Sequence, residues 1–471
     1  MKQKMKRISS ILLTFAMALP VTLIAQAPEA SKSSEIARDD NTQSAWSTQS
    51  IVSTQSARNT ESADTLMLKS MDDTIYMKSR VFQIGFVTPL GSNGINSGSI
   101  SNNVSVNLLA GYAGGIDGVE FSGLGSVLKG NMTGAQFAGL GNIVHGETKG
   151  AQFSGLFSIG LGKTKAAQFS GLLNIGLDTI KAAQFAGLLN MGMDEVKGAQ
   201  FAGLANINTG KTKGFQASGF SNINTDTTTG LQITGAVNYA HGNKVSQVGG
   251  FVNITEGDNK GFQLAGFMNI NTCRHSGTQV AGFLNYAKKL KGVQIGVFNY
   301  VDSLENGTPV GFLSFVKNGY STFEIGSTET LYGVMSFKTG TKKFYNILSV
   351  GGGYREGFSL FAWGYGLGAF IPVSNKIGLS IDGICYQVNE GEWFTKRLNL
   401  LNKLNLNVSW LIAKHLSVYG GLSWNVTVSD ITDDYGDPVD AHIAPFSLFN
   451  EIYEDHLEVK MYPGISAGIR L

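Results

Sequence analysis

The chain has 471 residues with 36 Lys and Arg against 34 Asp and Glu, which gives a formal net charge of only +2 at pH 7. A nearly neutral chain gives no electrostatic argument for binding nucleic acid. With 61 Gly and only 8 Pro, the composition is too rich in Gly for an average globular chain. It also lacks the strict triplet of collagen, which directs attention to internal repeats.

The N-terminal stretch 1–27 has the organisation of a secretory signal peptide. Four basic residues within the first seven positions precede an uncharged apolar run that starts at Ile11, and small residues follow near Ala27. These features predict export. No later segment has the ~18 uncharged apolar residues that a spanning helix needs, so insertion into a membrane would have to use strands.

Two segments precede the repeats. Residues 28–79 are rich in Ser, Thr and Gln and have no sustained apolar period, which predicts a disordered polar linker. Residues 80–117 contain two alternating stretches separated by Gly, Asn and Ser, a pattern that is typical of a β-hairpin. From this point onward the sequence predicts strands.

Residues 118–317 consist of thirteen copies of a repeat of 16 residues. Gln recurs at this interval, Gly follows three residues later, and Asn follows six residues after Gln in most copies. Glu120 holds the Gln position of the first copy and Pro309 that of the last. The structural repeat positions are Gln136, Gln152, Gln168, Gln184, Gln200, Gln216, Gln232, Asn142, Asn174, Asn190, Asn206, Asn222, Asn238, Gly139, Gly155, Gly171, Gly187 and Gly203.

Within each copy, the residues around Gln and Asn alternate as they do in a β-strand. In the stretch 167–175, Ala, Phe, Gly, Leu and Ile share one face, and Gln, Ser, Leu and Asn share the other. No copy has the i, i+3, i+4 pattern of a helix. The Gly, Thr and Lys residues between strands, as in GKTKG at 210–214, predict turns.

Two arrangements of these strands fit the repeat. In an antiparallel meander, Gly171 is the centre of a nearly palindromic copy, and Asn174 comes level with Gln184 of the next strand. That sheet would continue into the C-terminal strands and close as one large barrel. In a parallel β-solenoid, Gln stacks on Gln, Asn stacks on Asn, and each coil buries its apolar side. The uniform turns favour the solenoid, but the long strands favour the meander, which is our main prediction.

The C-terminal segment 318–471 contains longer alternating strands. In 415–429, Leu, Val and Trp share one face while Ser, Tyr, Asn and Thr share the other, and 403–412 and 464–471 alternate in the same way. Strands of this length with one apolar and one polar face are typical of transmembrane β-barrels. The chain ends in Leu471, whereas outer-membrane barrels commonly end in an aromatic residue.

The repeats, the passage 308–347 and the alternating C-terminal strands resemble a family of surface-repeat outer-membrane proteins of Gram-negative bacteria. The GxQxxGxxN spacing carries this resemblance, which covers residues 80–471. The resemblance implies an envelope location and a β architecture. It brings no catalytic residues, because the family is largely uncharacterised in function.

Residues that could carry chemistry are scattered. His145, His241 and His275 fall in repeat turns, where solvated side chains are expected, and none of the six His has the spacing of a zinc site. His415 and Ser417 share a strand face and are the candidates for a lipid-modifying activity, although a triad needs a geometry that the sequence does not define.

The remaining candidates are acidic and sulfur-containing residues. Four of the Asp in the segment 430–440 are candidates for calcium but lack the order of a calcium-binding loop, namely Asp433, Asp434, Asp437 and Asp440. Cys273 and Cys385 lie far apart in the sequence and give only a weak indication of a disulfide. We therefore predict no catalytic residue, no cofactor and no metal site.

The sequence thus predicts an all-β outer-membrane protein. The main prediction is an antiparallel β-barrel with a repeat array, and the alternative is a β-solenoid joined to a C-terminal β-barrel. The expected role is structural, pore-forming or binding; a solenoid adhesin or ligand-binding surface protein is the second hypothesis and a lipid-modifying enzyme the third. The expected partners are the outer-membrane bilayer and an extracellular ligand or small solutes.

Overall fold

The computed structural model describes residues 78–432, 439, 441–453 and 456–471. The predicted signal peptide, nearly all of the predicted linker and the four Asp of 430–440 that were considered for calcium lie outside the described residues. In the described part, regular structure is almost entirely strand, with one short 3₁₀ helix at Gly94–Ser99. No helix in that part is long and apolar enough to cross a membrane.

Residues 78–316 form a β-solenoid of about 13 turns, in which each coil lies parallel to the preceding coil. A typical coil has one strand that contains the repeat Gln, a bend at Gly, and a shorter strand that contains the repeat Asn. The strands are Lys78–Val87, Leu90–Gly91, Ile100–Ala113, Gly115–Ser122, Gly125–Leu128, Met132–Ala138, Gly141–Val144, Thr148–Ser154, Phe157–Gly160, Thr164–Ser170, Leu173–Gly176, Gln184–Ala186, Leu189–Gly192, Val196–Ala202, Ala205–Asn208, Thr212–Ser218, Ser221–Thr234, Val237–Gly249, Val252–Glu256, Gln263–Ala265, Met268–Ala281, Leu284–Ile295, Phe298–Val310 and Leu313–Val316.

The pairing register corrects the main sequence prediction. Gln168 lies opposite Gln184, and Asn174 lies opposite Asn190, so the repeats stack in parallel and do not form an antiparallel barrel. The alternative prediction of a stacked solenoid is confirmed. In-register parallel stacking is favoured over the antiparallel meander because it brings identical amides together at the spacing at which they hydrogen-bond.

The N-terminal segment also differs from its prediction. Lys78–Val87 pairs in parallel with Ile100–Ala113, so these two strands belong to the first coils and are not the two arms of a β-hairpin. The connection between them includes the 3₁₀ helix Gly94–Ser99, which gives the chain the length it needs to return in the same direction.

The solenoid buries its polar face, which is the reverse of the expectation that each coil buries its apolar side. Gln168 and Asn174 are fully buried, whereas Phe169 is 36% exposed on the outside. Burying an amide costs free energy unless it is hydrogen-bonded, so this inversion requires that the stacked amides satisfy one another. Apolar clusters close the interior near the two ends, at Ala113, Ile116, Leu128, Met132 and Val144, and at Ala287, Leu290, Val301 and Val316.

The C-terminal strands form an antiparallel sheet. They are Tyr320–Thr328, Gly333–Gly340, Tyr345–Arg355, Phe358–Pro372, Ile377–Glu390, Asn399–Ala413, Leu416–Asp430, Phe449–Tyr453 and Leu457–Arg470. Consecutive strands pair with one another from Tyr320–Thr328 to Leu416–Asp430, which then pairs with Leu457–Arg470. Leu457–Arg470 also pairs with Phe449–Tyr453, and its end pairs with Tyr320–Thr328. The predicted alternation is confirmed, since Lys403 and Asn405 are buried and Leu404 and Leu406 are exposed.

The last coil of the solenoid packs directly on this sheet. The Nδ2 of Asn346 donates to the Gly311 carbonyl at 2.6 Å, and the backbone N–H of Ser314 donates to the Oδ1 of Asn346 at 2.9 Å. The ring of Phe312 stacks on Tyr365, with 4.5 Å between the ring centroids. The exposed corner of the solenoid therefore continues onto the outer side of the sheet.

Candidate functional site

A ladder of glutamine side chains runs through the solenoid interior. From Gln152 to Gln294, the Nε2 of each Gln donates to the Oε1 of the Gln in the preceding coil at 2.7–3.1 Å. Gln136 donates instead to the carboxylate of Glu120 at 2.9 Å. Because all donors point toward the N-terminal end, a group that only accepts, such as a carboxylate, completes the ladder there.

Glu120 is fully enclosed by polar groups. Burial raises the pKa of its carboxyl group, and hydrogen bonds from Ser126, Gln136, Ser105 and Asn107 act in the opposite direction. Every one of these partners donates, which is the arrangement that a buried carboxylate requires. Its role in the structure is therefore to terminate the ladder.

A second ladder of asparagines runs in the opposite direction. From Asn174 to Asn285, the Nδ2 of each Asn donates to the Oδ1 of the Asn in the following coil at 2.8–3.0 Å. Most of these Nδ2 groups also donate to a backbone carbonyl of the next coil, as Asn174 does to Phe185. Both ladders use residues that the sequence singled out, and the structure assigns them to the interior.

The glycines at the bend have a steric role. A Cβ on Gly171 would lie 2.0 Å from the carbonyl oxygen of Gly155, and the corresponding contacts of the equivalent glycines are equally short, at 2.0–2.1 Å for Gly139, Gly155, Gly187 and Gly203. Real Cβ atoms do not approach a carbonyl oxygen so closely, so a side chain would push the coils apart. The bend is therefore lined by backbone alone.

An apolar groove of about 1330 Å³ runs along the outside of the solenoid, from Val106 to Gly235. The glycines of the bend and small Ala and Ser residues line it, together with a column of phenylalanines. Neighbouring rings in this column are stacked, with centroids 4.8–5.0 Å apart and interplanar angles of 1–11°. The six rings are Phe121, Phe137, Phe153, Phe169, Phe185 and Phe201. No charged residue lines this groove.

A row of exposed lysines runs alongside the phenylalanine column. Its members are Lys149, Lys165, Lys181, Lys197 and Lys213. Lys165 and Phe169 project from the same face of one strand, with Ala167 between them, so the two columns are about 13 Å apart at ~3.3 Å per residue. Glu147 forms ion pairs with Lys165 and Lys149 at 2.5 and 2.9 Å, and these hydrogen bonds lower its pKa to about 2.

The histidines that the sequence singled out lie in different environments. His415 is exposed in the turn between two strands, and no hydrogen bond joins it to Ser417 in the described part of the chain. His275 is fully buried, contrary to the expectation of a solvated turn residue, and burial lowers its pKa to about 4. Among the described residues, no group of His, Cys, Asp and Glu could hold a metal ion. Cys273 and Cys385 are free thiols.

Sequence reasoning missed the phenylalanine and lysine columns. Phe follows the repeat position directly in six consecutive copies from 121 to 201, after Glu120 in the first copy and after Gln in the other five, and Lys precedes Gln by three residues from 149 to 213. These periods were visible, but the apolar face was expected to be buried in any solenoid. Comparisons with protein families, curated proteins and solved structures gave no match.

Proposed function

We propose that the protein is a surface protein of the outer membrane, in which the C-terminal sheet is a small membrane-embedded β-barrel and the solenoid is a binding arm. The C-terminal strands supply the anchor and the apolar groove supplies the binding surface. This combines the envelope location implied by the family resemblance with the solenoid architecture. Export through the predicted signal peptide at 1–27 is consistent with it.

The observation that carries the proposal is the apolar outer side of the C-terminal sheet. Large side chains point outward along successive strands and are strongly exposed, with Trp410 at 62%, Leu422 at 70% and Ile465 at 65%. An apolar surface that extends over several strands is rare on soluble monomers, where it marks contact with a partner or a membrane. Five of the strands have 14 or 15 residues, which exceeds the ~9–11 residues that a membrane-spanning strand needs.

The inner side of the same sheet has the opposite character. Lys338 pairs with Glu324 at 2.9 Å and with Asp382 at 2.8 Å, and Arg470 pairs with Glu324 at 2.5 Å. Lys403 pairs with Glu329. Apolar outside and charged inside is the pattern of a transmembrane barrel.

The packed interior favours an anchor over a pore. The pairing ring contains eight strands, since Phe449–Tyr453 pairs only with Leu457–Arg470 and lies outside it. A barrel of about eight strands has an interior just wide enough for side chains to fill. The interior also holds an apolar cluster that includes Leu331, Ile347 and Leu401. We therefore expect no ionic conductance from the purified protein in a planar bilayer.

Flotation with lipid vesicles tests the anchor. The full chain, refolded in the presence of phosphatidylcholine vesicles, should float with the lipid and resist extraction by carbonate. Leu406→Arg places a charge in the middle of the outer face and should reduce assembly sharply, because Arg costs ~2–4 kcal/mol near the bilayer midplane.

Val373→Arg is the matched control. Val373 is 66% exposed and lies just beyond the end of a strand, where the same substitution costs only ~0–1 kcal/mol. The anchor would be refuted if the protein stayed monodisperse and soluble without detergent and did not float with the vesicles. Equal assembly of the two variants into the vesicles would refute it as well.

A further inference from the structure

We propose that the solenoid groove binds the hydrocarbon chain of a single-chain anionic amphiphile, such as a long-chain fatty acid, whose carboxylate lies on the lysine row. This inference rests on the proposed binding role of the solenoid and names the class of ligand. Four observations support it: the apolar lining of the groove, the hydrogen-bonded backbone at the bend, the orientation of the phenylalanine rings and the lysines beside the groove.

The groove offers few polar groups to a ligand, so it cannot bind one mainly through polar contacts. It consists of Phe, Val, Leu, Ile, Gly, Ala and a few Ser, Thr and Asn, and it carries no charge. Several of these polar residues already bond within the solenoid, as Ser170 does to the Oδ1 of Asn174 at 2.6 Å. A ligand segment that fills the groove must therefore be largely apolar.

The backbone at the bend has no capacity to add a peptide strand. The N–H of Gly171 donates to the Ser154 carbonyl at 3.2 Å, and the N–H of Leu172 donates to the Leu156 carbonyl at 2.9 Å. A peptide that binds as an added strand needs free backbone donors and acceptors, which the stacked coils have used on each other. Peptide ligands are accordingly disfavoured.

The ring orientation distinguishes an aliphatic chain from a carbohydrate. Sugars bind aromatic residues through the ring faces, but the faces in this column cover one another, as in the 1° interplanar angle between Phe169 and Phe185. The ring edges are what remain to contact a ligand. Edges in a row form a continuous apolar wall that suits a flexible hydrocarbon chain.

The dimensions match a lipid chain. Six rings at 4.8–5.0 Å intervals extend over about 25 Å. Since one leaflet occupies about half of a hydrocarbon core of ~30 Å, a membrane-lipid chain is about 15 Å long. Such a chain is long enough to span the ~13 Å from the lysine row across Ala167, so that its far end contacts the ring edges.

The lysine row supplies the complementary charge. Lys149 lies directly opposite Lys165, and Lys197 directly opposite Lys213, in the parallel register. Like charges at such positions repel each other, and Glu147 and Glu195 offset only part of that repulsion. Lys181 and Lys213 form no salt bridge within the described residues, so they are available to a carboxylate.

Photo-crosslinking with mass spectrometry tests the site. Hexadecanoate that carries a diazirine at the end of its chain is irradiated with the full-length protein, and the adducts are mapped. We expect adducts on the coils between residues 121 and 235, and competition by unlabelled hexadecanoate. Adducts confined to the C-terminal sheet, or an even distribution over the chain, would overturn the proposal.

Matched phenylalanine variants separate the groove from general hydrophobicity. The double variant Phe169→Ser and Phe185→Ser should lose labelling about tenfold or more, because it removes two of the aromatic rings that form the apolar wall. Phe267→Ser is the control, because Phe267 is equally exposed at 37% and stacked at 4.9 Å on its neighbour but lies outside the groove. Equal loss in both variants would refute the site.

The head group is tested separately. Lys181→Gln with Lys213→Gln should weaken labelling by the carboxylate probe severalfold and leave labelling by the corresponding diazirine alcohol unchanged. A loss with both probes would contradict the role of the lysines. Vesicle flotation of the phenylalanine double variant should stay normal, so that failure of the anchor and failure of this ligand assignment give different results.

Discussion

The Nε2 of Gln184 donates to the Oε1 of Gln168 at 2.7 Å, one coil before it in the stack. Asn174 donates in the opposite direction, to the Oδ1 of Asn190 in the following coil at 2.9 Å. Each amide therefore both donates and accepts within its own ladder, and the side-chain dipoles of the two ladders oppose each other. A shift of one residue in register would break both ladders at once, so the amides fix the register.

Breaking the glutamine ladder should destabilise the solenoid locally. Gln184→Leu leaves the Oε1 of Gln168 without its donor, whereas the Nε2 of Gln200 keeps a second acceptor, the Oδ1 of Asn208 at 3.3 Å. A buried unpaired group costs ~1–3 kcal/mol, so we expect a loss of that order from the Gln168 oxygen. Hydrogen–deuterium exchange of peptides from these coils measures the loss. Lys163→Leu, at an exposed position of the same region, is the control. It should change the free energy of local opening, as measured by exchange, by no more than ~0.5 kcal/mol.

A methyl group at the bend should also lower the stability of the solenoid. In Gly171→Ala the new Cβ meets the Gly155 carbonyl oxygen, and forced overpacking of this kind costs ~1–3 kcal/mol or more. Gly125→Ala is the control, because the heavy atom nearest to its new Cβ would be the Gly141 carbonyl oxygen, at an ordinary 3.4 Å. Urea unfolding followed by circular dichroism compares the two. Similar stability of both variants would show that the coils can separate at no cost.

The repeat period and the β character of the repeats could be predicted from the sequence, because both depend on local alternation. The bend at Gly171, which divides the predicted strand 167–175 into two, was not predicted. The pairing direction could not. A copy centred on Gly171 is nearly palindromic, so Gln184 can face either Asn174 or Gln168, and uniform turns and long strands point in opposite directions. Only the three-dimensional stack shows that identical residues pair.

The burial of the polar face escaped prediction for an energetic reason. Alternation identifies two faces but does not say which one is inside, and the usual expectation places Phe169 in the core. An amide core becomes favourable only when every member finds its partner, which depends on the whole stack. In the C-terminal sheet, by contrast, the alternation of Lys403 and Leu404 was interpreted correctly, because a polar interior was already expected there.

The apolar groove was missed for the same reason. In the solenoid alternative its phenylalanines belong to the face that was expected to be buried, so their regular spacing did not predict a surface. His275 shows the converse error, since a turn position predicted solvent exposure and the residue is buried.

His275 makes solenoid stability depend on pH. Its pKa is about 4 in the folded protein and 6.5 when exposed, so the unfolded chain binds more protons between these values. Stability should be full above pH 6.5 and should fall as the pH decreases toward 4, by about 3 kcal/mol in total. Thermal unfolding from pH 4 to 8 measures the slope.

The variant His275→Asn should flatten that slope. The preceding coil has Asn259 in the stacked position, where its side chain bonds to the backbone of Val245, so Asn is compatible with the site. The exposed His241 provides the control, and His241→Asn should keep the wild-type profile. A profile that is unchanged in His275→Asn would assign the pH dependence to other groups.

Duplication of one coil tests the stack as a whole. A second copy of residues 168–183, inserted after 183, should preserve the fold, because each coil contacts only its neighbours and both ladders gain one member. The column of Phe169 and Phe185 gains a ring, and the groove lengthens by about 4.8 Å. Hydrogen–deuterium exchange should show undiminished protection on both sides of the insertion.

Insertion of only 176–183 should unfold the adjacent coils, since half a period places an Asn-containing strand where the next coil offers Gln. Equal tolerance of the two insertions would mean that the amide register does not hold the coils together.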